Sequence, residues 1–153
     1  MPKRSAGVLM YRRGAAGPEL LLVHPGGPFW AKKDLGSWSI PKGEYSGTED
    51  PLAVALREFE EETGVRPHGD LHPLGELVQP GRKIVTVWAV EGDFDPAKLK
   101  SNTFELEWPP RSGRKAAFPE VDRAAWFSPA QARPKILPGQ REFIDRLAKA
   151  IKA

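Results

Sequence analysis

Hydrophobic residues open the chain in two runs, residues 5–13 (SAGVLMYRR) and 19–25 (ELLLVHP), split by the stretch GAAGP. They predict two strands and their connection. Residues 26–38 (GGPFWAKKDLGSW) mix glycine, lysine and aromatics and read as a loop. Residues 38–43 (WSIPKG) read as a short extended piece, which Pro41 keeps from being a central strand. The period then changes. Leu52, Ala55, Leu56, Phe59 and Thr63 recur at helical spacing and predict one buried stripe. Asp50 suits the N-cap of that helix, Pro51 its first position and Gly64 the residue just past its end. Residues 71–78, 83–92, 103–108 and 123–128 read as strands, and 128–132 as one helical turn. Residues 138–153 predict a closing amphipathic helix with Ile144, Leu147, Ala148 and Ile151 on its apolar face. Strands and helices mixed without a regular βαβ alternation predict an α/β fold, a mixed sheet flanked by helices. A length of 153 residues predicts one domain over 1–153.

Composition narrows the function. No apolar run approaches the roughly 18 residues of a membrane span. The basic N-terminus (MPKRSAGVLMYRR) has too short an apolar stretch for a signal peptide. The absence of cysteine excludes disulfides, thiolate metal sites and a cysteine nucleophile, and fits a cytoplasmic protein. A net charge of +3 requires no nucleic-acid partner and suits an anionic small molecule equally well. His24, His68 and His72 have no zinc-like spacing, and no phosphate-binding glycine motif of the Walker or dinucleotide type is present.

The candidate chemistry lies in residues 57–64 (REFEEETG). Helical rotation puts Glu58, Glu61 and Glu62 together on one flank of the apolar stripe and Glu60 on the other side, toward water. Such acidic runs are ordinarily solvated faces. Here the carboxylates occupy the C-terminal half of the helix, where its dipole disfavours negative charge, and they border the core. Arg57 can pair with Glu61 one turn on, but one cation does not balance three anions. A divalent cation would, and carboxylates without histidine or cysteine suit magnesium or manganese.

Gly43, Glu49, Arg57, Glu58, Phe59, Glu61, Glu62, Gly64 and Val65 match G-x(5)-E-x(7)-R-E-U-x-E-E-x-G-U, with U bulky and apolar. In this pattern the chain resembles the Nudix family; Phe59 stands where an aliphatic is commoner. Seven fixed identities would coincide by chance on the order of once in 10⁸ starting points. The resemblance implies an α/β/α sandwich that hydrolyses a nucleoside diphosphate linked to another group, with magnesium held by a loop, helix and loop. It implies metal ligation by Glu58, Glu61 and Glu62, with a backbone carbonyl of Lys42 or Gly43 in addition. Arg57 would orient a ligand glutamate and Glu49 support the loop. The carboxylate that takes a proton from water would be Glu61, or Glu120 in residues 118–126 (FPEVDRAAW), whose place before Trp126 is similar to the family's late glutamate.

For the substrate, residues 38–43 resemble the W-x-x-P-K-G segment of Nudix enzymes acting on dinucleoside polyphosphates such as diadenosine tetraphosphate. Lys42, Lys32 and Lys33 are candidate phosphate contacts. Arg111, Arg114 and Lys115 form a second basic cluster. Phe29, Trp30, Trp38 and Trp108 offer faces that could stack a base, though core packing accounts for tryptophans and solubility for loop lysines equally well. Two family markers diverge. Gly81, Arg82 and Lys83 occupy the window where dinucleoside-polyphosphate members often carry tyrosine, and Pro80 stands where ADP-ribose members often carry proline. Nucleoside triphosphates, ADP-ribose or another nucleotide sugar, an RNA 5′ end and a catalytically silent nucleotide-binding module remain alternatives.

Overall fold

The computed structural model describes residues 3–151. Its central sheet is built from β1 (Arg4–Gly14), β2 (Gly17–Pro25), β3 (Lys42–Tyr45), β4 (Leu71–Gln79), β5 (Lys83–Glu91) and β8 (Val121–Phe127). The order is β4-β5-β1-β2-β8, with β3 also pairing with β1. β1 runs parallel to β5 and antiparallel to β2 and β3, so the sheet is mixed. β6 (Thr103–Glu107) and β7 (Lys115–Pro119) form a separate antiparallel hairpin. The helices among the described residues are α1 (Pro51–Thr63), α2 (Pro129–Lys135) and α3 (Arg141–Ile151).

The alternation of side chains along a strand assigns most apolar residues of β1, β2 and β5 to one of two cores. Ala6, Val8, Met10, Leu21 and Val90 pack with Val54, Ala55 and Phe59 of α1. Leu9, Tyr11, Leu20, Leu22, Val85, Val87 and Ala89 pack with Ala132 of α2 and with Phe143, Ile144, Leu147 and Ile151 of α3. A sheet covered on both faces reads as continuous apolar runs, which is why the first two strands are so hydrophobic. The result is the expected α/β/α sandwich. No helix among the described residues is long and apolar enough to cross a membrane.

Details differ from the sequence reading. In α1 Val54 is buried, while Leu52 is only half-buried. In α3 Phe143 takes the buried place expected of Ala148, which is exposed. The expected helical turn at 128–132 is α2, seven residues long with a capping box at Ser128 and Gln131. Strand β7 falls between the strands expected at 103–108 and 123–128, in a stretch to which the sequence reading assigns no element. Residues 1–2 of the basic N-terminus and 152–153 of the expected closing helix lie outside the described residues.

α1 begins and ends as its local chemistry dictates. The Asp50 carboxylate accepts from the Ala53 N–H at 3.3 Å, Pro51 follows it, and Gly64 has φ 87° while its N–H reaches the Glu60 carbonyl at 2.7 Å. Asp50→Ala is expected to cost about 1 kcal/mol, lowering Tm by about 2–4 °C at this chain length. Thermal unfolding reads this directly, and an unchanged Tm would mean that the cap contributes nothing.

Candidate functional site

α1 and β3 bring the acidic residues together. Glu58 is half-buried against Gly43, so close that a Cβ on Gly43 would lie 2.1 Å from the Glu58 Cδ and 2.4 Å from its Oε2. Glu62 is 8% exposed, and the backbone N–H of Lys42 donates to its carboxylate. Burial, first, and then the charge of Glu58 hold Glu62 well above the usual carboxylate range, against the opposing charge of Lys42. Burial and Glu61 likewise raise Glu58, with Arg57 opposing. Glu60 is exposed, on the far side of the helix, 3.7 Å from Arg66.

Arg57 joins the helix to the loop before it. Its guanidinium lies 3.3 Å from Glu49, 3.7 Å from Glu58 and 3.8 Å from Glu61. Glu49 in turn accepts from the Ser46 backbone N–H at 3.0 Å. That bond, ahead of Arg57, holds the Glu49 carboxyl below its ordinary range.

Glu120 joins the same group from the turn between β7 and β8. Burial and then Glu61 raise it, and its charge is felt by both Glu58 and Glu62. Its position follows from a backbone relay. The Asn102 N–H donates to the Glu61 carbonyl at 2.8 Å, the Glu120 N–H to the Asn102 carbonyl at 2.8 Å, and the Gly26 N–H to the Glu120 carbonyl at 2.9 Å. Together with Lys100 N–H on the Thr63 carbonyl at 3.0 Å, this satisfies carbonyls that the end of a helix leaves open.

Four carboxylates thus share one electrostatic neighbourhood with Lys42 and Arg57 beside them. Among the described residues no three histidine, aspartate or glutamate side chains already meet at metal-ligand spacing. The donor set nevertheless fits a hard divalent cation. It is all carboxylate oxygen, Glu62 is buried with too little positive charge around it, and Gly43 leaves the approach to Glu58 open.

Beside these residues lies a cleft of about 220 Å³, lined by Lys42, Glu62 and Glu120 together with Val23, Pro25, Trp30, Val121 and Leu137, with Ser37 and Ser39. Of the residues expected to bind substrate, Lys42 lines it. Lys32 and Lys33 are exposed on the neighbouring loop, with Lys33 Nζ 4.9 Å from the Trp30 ring centre. Arg111 and Arg114 lie at the tip of the β6–β7 hairpin, outside the cleft lining. That tip meets the loop through an edge-on contact of Phe29 and Trp108 at 5.6 Å.

Trp38 is corrected by the structure. It is 5% exposed, its Nε1 donates to Asp34 at 2.8 Å, and its ring meets Phe127 and His24 edge-on. No face is left open for a base, and Trp30, 36% exposed, is the tryptophan on the cleft. Val23, Pro25, Val121 and Leu137 were not anticipated as lining, since each reads as ordinary core or turn in sequence. Pro80 packs beside Gly139 and is not among the residues lining the cleft.

A family model described as the NUDIX domain matches residues 1–147. Two curated proteins align over shorter stretches. The CMP-5'-(N-acetyl-N-hydroxy-3-aminopropyl)phosphonate hydrolase of Streptomyces rubellomurinus is 49% identical over 41 residues, 27% of this chain and 20% of that protein. The RNA pyrophosphohydrolase of Rhodospirillum rubrum is 37% identical over 68 residues, 42% of this chain and 39% of that protein. The alignments therefore span well under half of either relative. Among solved structures, a C. elegans Ap4A hydrolase binary complex superposes with TM-score 0.64 at 20% identity, covering 96% of this chain and 97% of that one. The NUDIX domain of Shewanella oneidensis NrtR, complexed with ADP ribose, superposes with TM-score 0.68 at 14% identity, covering 99% and 90%. At such identities these two establish the shared fold.

Proposed function

The chain belongs to the NUDIX family, whose members hydrolyse phosphoric anhydrides, and on that premise we propose that it is a magnesium-dependent pyrophosphohydrolase of dinucleoside polyphosphates or nucleoside triphosphates. The observation that carries the metal-dependent reading is Glu62, a buried carboxylate raised by burial and by the charges of Glu58 and Glu120, with the charge of Lys42 opposing them. A buried charge of this kind costs stability unless something cationic joins it.

In this reading Glu58, Glu61 and Glu62, with the carbonyl of Lys42 or Gly43, hold the divalent ion, magnesium first and manganese second. Such an ion neutralises anhydride oxygens and makes water more acidic. Arg57 keeps Glu58 and Glu61 in place, and Glu49 keeps Arg57 in place. Lys42 draws the polyphosphate to the cleft. Water adds to phosphorus as the anhydride P–O bond breaks, and the water's proton passes to a carboxylate. Glu120 suits that task because it lines the cleft, and burial and the charge of Glu61 raise its pKa, which makes it a readier proton acceptor than an ordinary carboxylate. The phosphate that leaves carries the electron pair of the broken bond.

The cleft is smaller than the roughly 300–1,000 Å³ of a whole small-molecule site. It has room for one nucleobase against Trp30, with the rest of the substrate passing Lys42 toward Lys32 and Lys33. A cytoplasmic setting belongs to the same reading and agrees with a chain without cysteine. The test is a product assay with diadenosine tetraphosphate, nucleoside triphosphates and ADP-ribose, with and without magnesium, beside Glu61→Gln. Magnesium-dependent release of a mononucleotide, lost in the variant, is the expected result. AMP plus ribose phosphate from ADP-ribose as the preferred reaction would replace the substrate assignment. Nucleotide binding without turnover under any divalent ion would replace the enzyme by a binding module.

A further inference from the structure

His24 has no part in that chemistry, yet it is fully buried and both ring nitrogens are engaged. Nδ1 lies 2.8 Å from Asp122 Oδ1 and Nε2 lies 2.6 Å from the Lys33 carbonyl oxygen. Both partners are oxygen atoms on different chain segments, and the ring bridges them through its two opposed nitrogens, a span that an amide side chain does not reproduce.

The three chain segments joined here are three walls of the cleft. His24 stands between Val23 and Pro25; Asp122 follows Val121 and lies two residues after Glu120; Lys33 belongs to the loop that carries Trp30. The Lys33 N–H donates to the Trp30 carbonyl at 3.0 Å, so fixing the Lys33 peptide fixes the turn that presents the indole. The loop needs such fastening. Phe29 and Leu35 within it are 60% and 72% exposed, and its further polar ties lie toward its two ends, where the Gly26 N–H meets the Glu120 carbonyl, Asp34 bonds to Trp38 and Lys135, and the Gly36 N–H meets the Pro134 carbonyl.

We infer that His24 is a positioning residue: it ties the Lys33 turn to β8 and so holds Trp30 as the cleft wall against which the substrate's base lies. The role of Trp30 rests on the reading of the cleft given above; the fastening of the loop does not.

The test pairs His24→Phe, which keeps an aromatic ring beside Trp38 but donates nothing, with His24→Gln, whose donors sit on a single nitrogen and so do not span both partners. Hydrogen exchange is expected to quicken at residues 27–36 in both, more in the phenylalanine variant, with the rest of the chain unchanged. With diadenosine tetraphosphate and magnesium, KM is expected to rise about tenfold in His24→Phe, while kcat stays within about twofold. Trp30→Ala is expected to raise KM similarly, and His24→Phe combined with Trp30→Ala to do no more than Trp30→Ala alone. A fall in kcat without a rise in KM, or additive effects in the double variant, would overturn the proposal. If the wild-type protein turns over no nucleotide, the hydrolase reading fails by itself; unchanged exchange at 27–36 in both variants would then sink the positioning role.

Discussion

Glu62→Gln is expected to remove magnesium-dependent turnover, by about three orders of magnitude, and at the same time to raise the Tm of the metal-free protein. The two effects have one cause. Glu62 is 8% exposed, and Glu58 and Glu120 add negative charge beside it, so without a metal its ionised form is disfavoured. A glutamine keeps an oxygen that accepts from the Lys42 N–H and drops the charge. Each 1 kcal/mol recovered would raise Tm by about 2–4 °C for a chain of this size. The pH dependence has a definite sign. The folded-state pKa of Glu62 is raised, so the stability its protonated form contributes is present at low pH and is lost as pH rises through that value. The Tm gap between variant and wild type is therefore expected to be widest above that value and to close on acidification. Unfolding in chelator across pH, beside turnover, measures both halves. A lower Tm for the variant in chelator at neutral pH would mean that Glu62 is already well paired without metal.

Gly43→Ala is expected to cut turnover about a hundredfold, the scale at which a displacement of about 1 Å acts on a reacting site, while leaving Tm and secondary structure near wild type. The added Cβ would lie 2.1 Å from Glu58 Cδ and 2.5 Å from its Cγ, far inside contact distance, so the glutamate must move away from β3. Gly43 does not need a left-handed backbone, and alanine continues the strand pairing of residues 42–45 with β1 without strain. Gly64 differs. Its φ of 87° and its approach to Lys100 penalise any side chain through the fold itself. The two glycines of the motif are thus separable by experiment: Gly64→Ala should lower Tm, and Gly43→Ala should lower activity alone. Unaltered turnover in Gly43→Ala would show that the position of Glu58 is not critical.

The part of the structure legible in sequence is the part set by local chemistry. Asp50, Pro51 and Gly64 bound α1 because caps act over one turn, and a helical period places Glu58, Glu61 and Glu62 on one flank without reference to the rest of the chain. The continuous apolar runs of β1 and β2 foretell a sheet covered on both faces. Strand β7 escaped because it is five residues long, alternately half-buried, and paired only with β6. Trp30 and Trp38 lie in the same short loop, and nothing in their immediate neighbours says which ring turns inward. That is decided by Asp34, Phe127 and His24, which the fold brings to Trp38. Similarly, Val23, Val121 and Leu137 become one cleft only through the sheet order and the turn after α2.

The relay from α1 through Asn102 and Glu120 to Gly26 runs entirely through backbone N–H and carbonyl groups. Such a relay is indifferent to which side chain sits at 102 but not to how many residues precede it. Between the end of β5 and Asn102 the chain is held by more than its peptides, since Phe94 is buried with Leu99 packed beside it and the Ser101 hydroxyl accepts from the Val121 N–H; one inserted or deleted residue would also put a different peptide opposite the Glu61 carbonyl. Surface connections ordinarily accept changes of length more readily than elements do. This one inverts the rule, acting as a spacer whose length matters as well as its buried residues.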